Sequence, residues 1–271
     1  YNQFWILNLA FILPALVSVI DQQMAISLGE GKLTTLTYSL RLPDGISEIL
    51  CAGLGTAVFS HFSEWASQND HHKLQEAIQK VIIFLTLLII PLSIFIFLYA
   101  SPIISLLFKR GAFTTAAAQN VSHILQFYCF TVYFNVLATI GVKAISAIGK
   151  NNFFLGFALT ICTLKILLNF IFIRSLGLKG LVLATIIMLI ANCFLVFRFL
   201  KNNSIHVFDT SFLRRLSKCF PFTMLFLIIL AGVRLMTQDF LPLLQIFIAL
   251  AVSIAIVFAF LKINPKLYFM K

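Results

Sequence analysis

Eight blocks of almost continuous apolar residues, at 3–27, 33–62, 76–99, 116–147, 152–173, 179–200, 216–237 and 241–262, divide the chain. Short polar connections separate them. Each block is about twenty residues or longer, the length an α-helix needs to cross a hydrocarbon layer roughly 30 Å thick. A membrane β-barrel would show alternating segments of about ten residues instead. The pattern predicts an all-α, polytopic membrane helix bundle with about eight transmembrane helices. Gly29, Gly31, Gly111, Gly149 and Gly177 mark turns. The polar connection 63–75 is expected to open an amphipathic surface helix, and 201–215 is the longest basic loop. Pro43, inside the second block, should kink its helix by removing a backbone hydrogen bond.

Composition supports this class. Only 11% of the 271 residues are charged and 61% are hydrophobic, whereas a soluble domain carries about 25% charged residues. The net charge of +11 raises the question of nucleic acid. The Lys and Arg residues sit mainly in the connections, however, so membrane topology accounts for them and no nucleic-acid partner is expected. Counted by side, eleven fall with the C-terminal end and five on the opposite side, which puts both ends of the chain in the cytoplasm. The bilayer itself is the first partner. The five cysteines are scattered without a CxxC pair, so neither a disulfide framework nor a metal cluster is expected. No nucleophile–histidine arrangement and no nucleotide-binding fingerprint is present, so the chain does not read as an enzyme. It opens Tyr-Asn-Gln, without Met or a signal peptide, and reads as the later part of a longer protein.

Against this greasy background the ionisable residues inside the blocks stand out. Charges within a bilayer are costly and normally face a partner or a wet cavity. Arg41, Asp44 and Glu48 recur at i, i+3 and i+7 and so share one helical face. Asp21 lies six residues before the end of the first block, at a depth similar to Arg41 on the second. The two can meet as an ion pair between antiparallel helices. Alternatively Arg41 faces a cavity, where its planar fork suits an anionic group such as phosphate. Lys165 and Asn169 are one turn apart on the fifth block, with Asp21 as a candidate partner for Lys165, and Thr185 on the sixth can add an oxygen to a cation site. Lys143 is placed to snorkel towards the interface, and Arg234 is expected at a rim. The small-residue run Gly53-Leu54-Gly55-Thr56-Ala57 predicts close helix packing.

The stretches Ser18-Val19-Ile20-Asp21, Leu28-Gly29-Glu30-Gly31, Tyr38-Ser39-Leu40-Arg41-Leu42 and Gly53-Leu54-Gly55-Thr56 resemble the start of the second lobe of MurJ/MviN flippases. Leu107-Phe108-Lys109-Arg110-Gly111-Ala112-Phe113-Thr114 resembles that family's RGAF turn. Asn169 followed by Gly177-Leu178-Lys179-Gly180 fits a pattern of the wider exporter superfamily. The resemblance implies the second half of a fourteen-helix, two-lobed flippase fold. Residues 1–200 would form the second six-helix lobe, and 201–271 a basic loop and two additional C-terminal helices lining a groove for a polyprenyl tail. It also implies transport of the lipid-linked peptidoglycan precursor across the bacterial inner membrane by alternating access, with the first lobe of the same protein as partner. By resemblance Arg41 meets the substrate's pyrophosphate or sugar in a central cationic cavity, with Asp44 and Glu48 on the same wall. No cofactor is implied beyond a possible coupling ion, sodium or proton, at Asp21, Lys165, Asn169 and Thr185, where Lys165 can replace a bound cation with a tethered one. The alternatives are a sibling exporter of drugs or another lipid-linked glycan, or a membrane scaffold that transports nothing.

Overall fold

The computed structural model describes residues 2–108, 113–151, 153–238 and 240–263. Ten helices follow one another: α1 (Asn2–Ser27), α2 (Lys32–Ser67), α3 (His71–Phe108), α4 (Thr115–Tyr128), α5 (Thr131–Ala147), α6 (Phe153–Leu176), α7 (Leu178–Asn202), α8 (Thr210–Ser217), α9 (Cys219–Thr237) and α10 (Pro242–Ile263). No strand occurs among the described residues. Helices α4 and α5 form one rod broken only at Cys129 and Phe130, which corresponds to the long fourth block. Six rods are long and apolar enough to cross a membrane, and α1 and α10 are apolar over Ile12–Ser27 and Pro242–Val257. Six of the eight expected crossings thus have the required length and apolarity, and the apolar parts of α1 and α10 fall where the other two are expected.

The core lies on α3. Leu74, Ile78, Ile82, Leu85 and Ile89 recur every three or four residues and are buried together. They belong to one cluster with Val132, Val136, Ile140 and Ala144 on α5, and with Val196 and Leu200 on α7. Helices α9 and α10 also pack on α3, whereas α1 packs mainly on α6. A second cluster, Ala25, Leu36, Ile124, Leu178, Leu181 and Val182, ties α1, α2, α4 and α7 together near the end that carries the 28–31 and Gly177 turns.

Apolar helices gain little from the hydrophobic effect when their surroundings are lipid, so close packing has to hold them. Two glycines permit that closeness. A Cβ on Gly141 would stand 2.2 Å from Val196 Cγ1, and one on Gly180 would stand 2.3 Å from the carbonyl oxygen of Phe172. A side chain can turn aside, but a helix carbonyl has nowhere to go. Gly141→Ala is expected to cost about 1–3 kcal/mol of stability, and Gly180→Ala more, read from thermal unfolding of the purified protein. The expected small-residue contact at 53–57 is narrower than the run suggests. Only Gly55 in it is buried, where a Cβ would stand 3.4 Å from Lys143 Cε, and Gly53, Thr56 and Ala57 are exposed.

Three further features depart from the sequence expectation. The 63–75 connection is not a surface helix: α2 continues to Ser67 and α3 begins at His71, so only Gln68–Asp70 turn the chain. Helix α2 stays helical through Pro43. The non-helical backbone lies instead in α3 at Tyr99 (φ −105°, ψ 19°), three residues before Pro102. That proline lacks the N–H that would reach the carbonyl of Leu98. The basic loop contains an eight-residue amphipathic helix, α8, and the seventh crossing begins at Cys219 rather than 216.

Helix α8 is anchored by polar groups. The Asp209 carboxylate caps it, accepting from the Phe212 N–H (2.6 Å) and the Ser211 hydroxyl (3.0 Å), and Phe212 itself is fully buried. Buried Gln79 on α3 donates to the Val207 carbonyl (2.8 Å) and accepts from the Arg215 guanidinium (2.7 Å). Chiefly the Phe212 N–H holds the Asp209 carboxyl below the usual carboxylate range. A depressed folded-state value means that the cap contributes fully above the unfolded value of about 3.9, and that the contribution is lost as pH falls through the folded value. Amide-exchange protection of 210–217 is therefore expected to be constant from pH 5 to 8 and to fall below about pH 4. Asp209→Ala should lower it at every pH, by about 1 kcal/mol of helix stability.

Candidate functional site

Helix α2 displays an exposed stripe at helical spacing: Thr34, Thr37, Arg41, Asp44, Glu48, Ala52, Thr56 and Ser60. On α1, Ser18, Gln22 and Gln23 are also exposed. Other helices expose quite different residues. Leu167, Phe170 and Ile171 on α6, Leu225 and Ile228 on α9, and Phe247 and Ile254 on α10 are all apolar and more than half exposed. Those surfaces suit acyl chains. The α2 stripe does not, because charges facing hydrocarbon are too costly to leave there. It is the face on which water or other polar groups must lie.

Arg41 sits nine residues into α2, roughly 13 Å along the helix from Lys32. Its guanidinium lies 5.1 Å from the ring centre of Tyr38, one turn back. Tyr38 in turn meets the edges of Phe108 (4.9 Å) and Phe113 (5.5 Å). An aromatic prop thus holds the base of Arg41 while its charge remains available: no carboxylate lies within 4.0 Å of it among the described residues. Asp44 and Glu48 share the exposed face. This face is therefore mixed in sign, one guanidinium with two carboxylates, as their i, i+3, i+7 spacing predicts. Lys143 is half-buried between α5 and α2, with its ammonium 5.5 Å from the ring centre of Phe59. Arg234 is half-buried near the end of α9.

The other four site residues converge. Lys165 is 2% exposed, and its Nζ donates to Thr185 Oγ1 (2.7 Å), Asn169 Oδ1 (3.0 Å) and the Leu181 carbonyl (3.2 Å). Asp21 Oδ2 is 3.3 Å from the same nitrogen. Asn169 Nδ2 donates to the other Asp21 oxygen, Oδ1, so its amide bridges both charged groups. The hypothetical pairing of Asp21 with Arg41 is not what the structure contains. Helix α1 packs on α6 more than on α2, and the partner of Asp21 is the lysine on α6. Sequence reasoning brought together Asp21, Lys165, Asn169 and Thr185 but missed the Leu181 carbonyl, since a backbone oxygen carries no residue signature. The positive φ of Gly177 (57°) turns the chain tightly from α6 into α7. That turn returns Leu181 and Thr185 beside Lys165.

An apolar groove of about 350 Å³ runs between α3, α9 and α10, lined by residues such as Leu88, Phe95, Phe226 and Ile254. The motif positions Lys109, Arg110, Gly111 and Ala112 lie outside the described residues.

Comparison with known proteins follows the same lines. The family model described as lipid II flippase MurJ matches residues 3–261. A probable lipid II flippase MurJ of Thermotoga maritima is 32% identical over 196 residues, 70% of this chain and 39% of that protein. One from Bdellovibrio bacteriovorus is 23% identical over 69% of this chain and 36% of its own length. The lipid II flippase MurJ of Burkholderia cenocepacia is 24% identical over 72% and 38% respectively. The chain thus spans about two fifths of the length of these relatives. A solved lipid II flippase MurJ in an inward closed conformation superposes with a TM-score of 0.74 at 21% identity, covering 93% of this chain and 52% of that one. An outward-facing multidrug resistance transporter of the MATE family superposes with a TM-score of 0.61 at 16% identity, covering 92% and 62%. At these identities the structural likeness establishes the fold.

Proposed function

The chain belongs to the MurJ family of lipid II flippases, and from that premise we propose that it forms one lobe of a carrier for the lipid-linked peptidoglycan precursor. The observation that supports this most is the exposed polar stripe on α2 with Arg41 in it. A helix long enough to span the bilayer that keeps such a stripe needs an aqueous cavity beside it. The other wall of the cavity is a first lobe of the same protein. Because this wall carries both signs, the cationic excess that would attract a pyrophosphate comes from that first lobe, and Arg41 contributes one oriented fork of donors. The stripe gives the head group a polar path through the membrane, while the groove between α3, α9 and α10 suits an isoprenoid chain that never leaves an apolar environment. No bond is made or broken in this process, so the protein acts as a transporter and not as an enzyme. The lysine-rich side faces the cytoplasm of a bacterium, with the chain in the inner membrane.

The direct test is replacement. Cells depleted of their own flippase should grow and make peptidoglycan when given the full-length protein that carries this chain. Growth failure with the protein correctly inserted would exclude this substrate and point to a sibling exporter.

A further inference from the structure

We propose that the Lys165 ammonium is the resident cation of a four-oxygen site joining α1 to α6 and α7, so that no alkali-metal ion binds there. The implied coupling ion fails a simple test of fit. A carboxylate, an amide, a hydroxyl and a backbone carbonyl, one each from Asp21, Asn169, Thr185 and Leu181, surround a single point. Hard cations favour such a set of oxygens. The point is already filled by Lys165 Nζ, whose distances to the four are 3.3, 3.0, 2.7 and 3.2 Å. A second cation would have to occupy the same volume as a like charge. The three N–H groups of Lys165 match the three recorded bonds to Asn169, Thr185 and Leu181, and its charge pairs with the fourth oxygen, on Asp21.

The surroundings support a permanent occupant. Lys165 is 2% exposed and Asn169 is fully buried. Leu181 and Val182, in the same turn of α7 as the carbonyl, belong to the apolar cluster that closes over α1, α2 and α4. A free ion can leave such a site and let α1 part from α6. A covalently attached ammonium cannot leave, so the tie between α1 and α6 does not depend on the ion content of the medium. The inference rests on this geometry alone and stands whether or not the carried lipid is the one proposed above.

Thermal unfolding of the purified full-length protein, with NaCl, LiCl or KCl exchanged for choline chloride at equal ionic strength, tests it without any transport assay. The wild-type midpoint should be indifferent to the exchange. Lys165→Asn, which removes the ammonium and leaves an oxygen in its place, should unfold earlier in choline chloride. It should gain a saturable rise of its midpoint with one of the alkali ions. A saturable sodium or lithium effect on the wild type that Asp21→Asn abolishes would overturn the proposal. A folded Lys165→Asn protein indifferent to all three salts would overturn it too. The wild-type measurement, with Asp21→Asn as its control, decides the question if Lys165→Asn cannot be purified.

Discussion

Arg41→Ala is expected to abolish rescue of flippase-depleted cells while leaving the amount of protein in the membrane unchanged. The second half of that expectation follows from the contacts. Arg41 is exposed, touches the ring of Tyr38 and makes no ion pair among the described residues. Its loss therefore leaves no buried charge uncompensated, and surface changes of this kind shift stability by no more than about 0.5 kcal/mol. The first half follows from what an anionic head group loses. A hydrogen bond to a charged group is worth about 1.5–3 kcal/mol, equivalent to roughly ten- to a hundredfold in binding. Arg41→Lys keeps the charge but not the planar fork and should fall between alanine and wild type. Asp44→Asn and Glu48→Gln remove negative charge from the same face and should not impair rescue. Growth curves with parallel membrane blots give the answer. Full rescue by Arg41→Ala would take that residue out of the mechanism, whereas failure of Glu48→Gln alone would mean that the stripe serves a cation.

The apolar helices were legible in the sequence because apolar blocks of membrane length have few other outcomes. Their ends were less legible. Past the expected end of the second block come Ser63, Glu64 and Ser67, yet α2 runs through them, because a helix does not stop where the hydrocarbon stops. Helix α8 had a signal, Asp209 three residues before Phe212, but eight residues with two arginines resemble a loop by composition. Gln79 had no periodic or charge signal at all. Its importance comes from Val207 and Arg215, more than a hundred residues away. For the site, spacing alone placed Arg41, Asp44 and Glu48 on one face, and Lys165 beside Asn169. It left Asp21 with two candidate cations at comparable depth. The choice between them depends on whether α1 packs on α2 or on α6, which a single sequence does not rank. The family's Asn169…Gly177…Gly180 pattern was legible as a pattern only. Its physical content appears in the structure: the amide bridges Asp21 and Lys165, one glycine makes the turn, and the other lets α7 lie against the Phe172 carbonyl.

The largest effect on stability is expected at Asp21, and a pair of substitutions there separates charge from contact. Asp21→Asn keeps the volume of the side chain and an oxygen near Lys165 Nζ but removes the only carboxylate within 4.0 Å of it among the described residues. The ammonium then remains 2% exposed with neutral partners. Breaking a buried pair from one side costs about 3–5 kcal/mol, since the remaining charge keeps its desolvation penalty without the attraction that offset it. Adding Lys165→Met removes that charge with little change in length. The double variant should then recover part of the loss, although Asn169, Thr185 and the Leu181 carbonyl forfeit a donor. Its unfolding midpoint should lie above that of Asp21→Asn alone, a non-additivity that only interacting residues produce. If the two substitutions instead add, Asp21 and Lys165 are not coupled, and the tie between α1 and α6 is held by its apolar contacts. If Asp21→Asn is as stable as wild type, Lys165 sheds its proton when buried beside an amide. The cage would then be a hydrogen-bonded joint and not an ionic one.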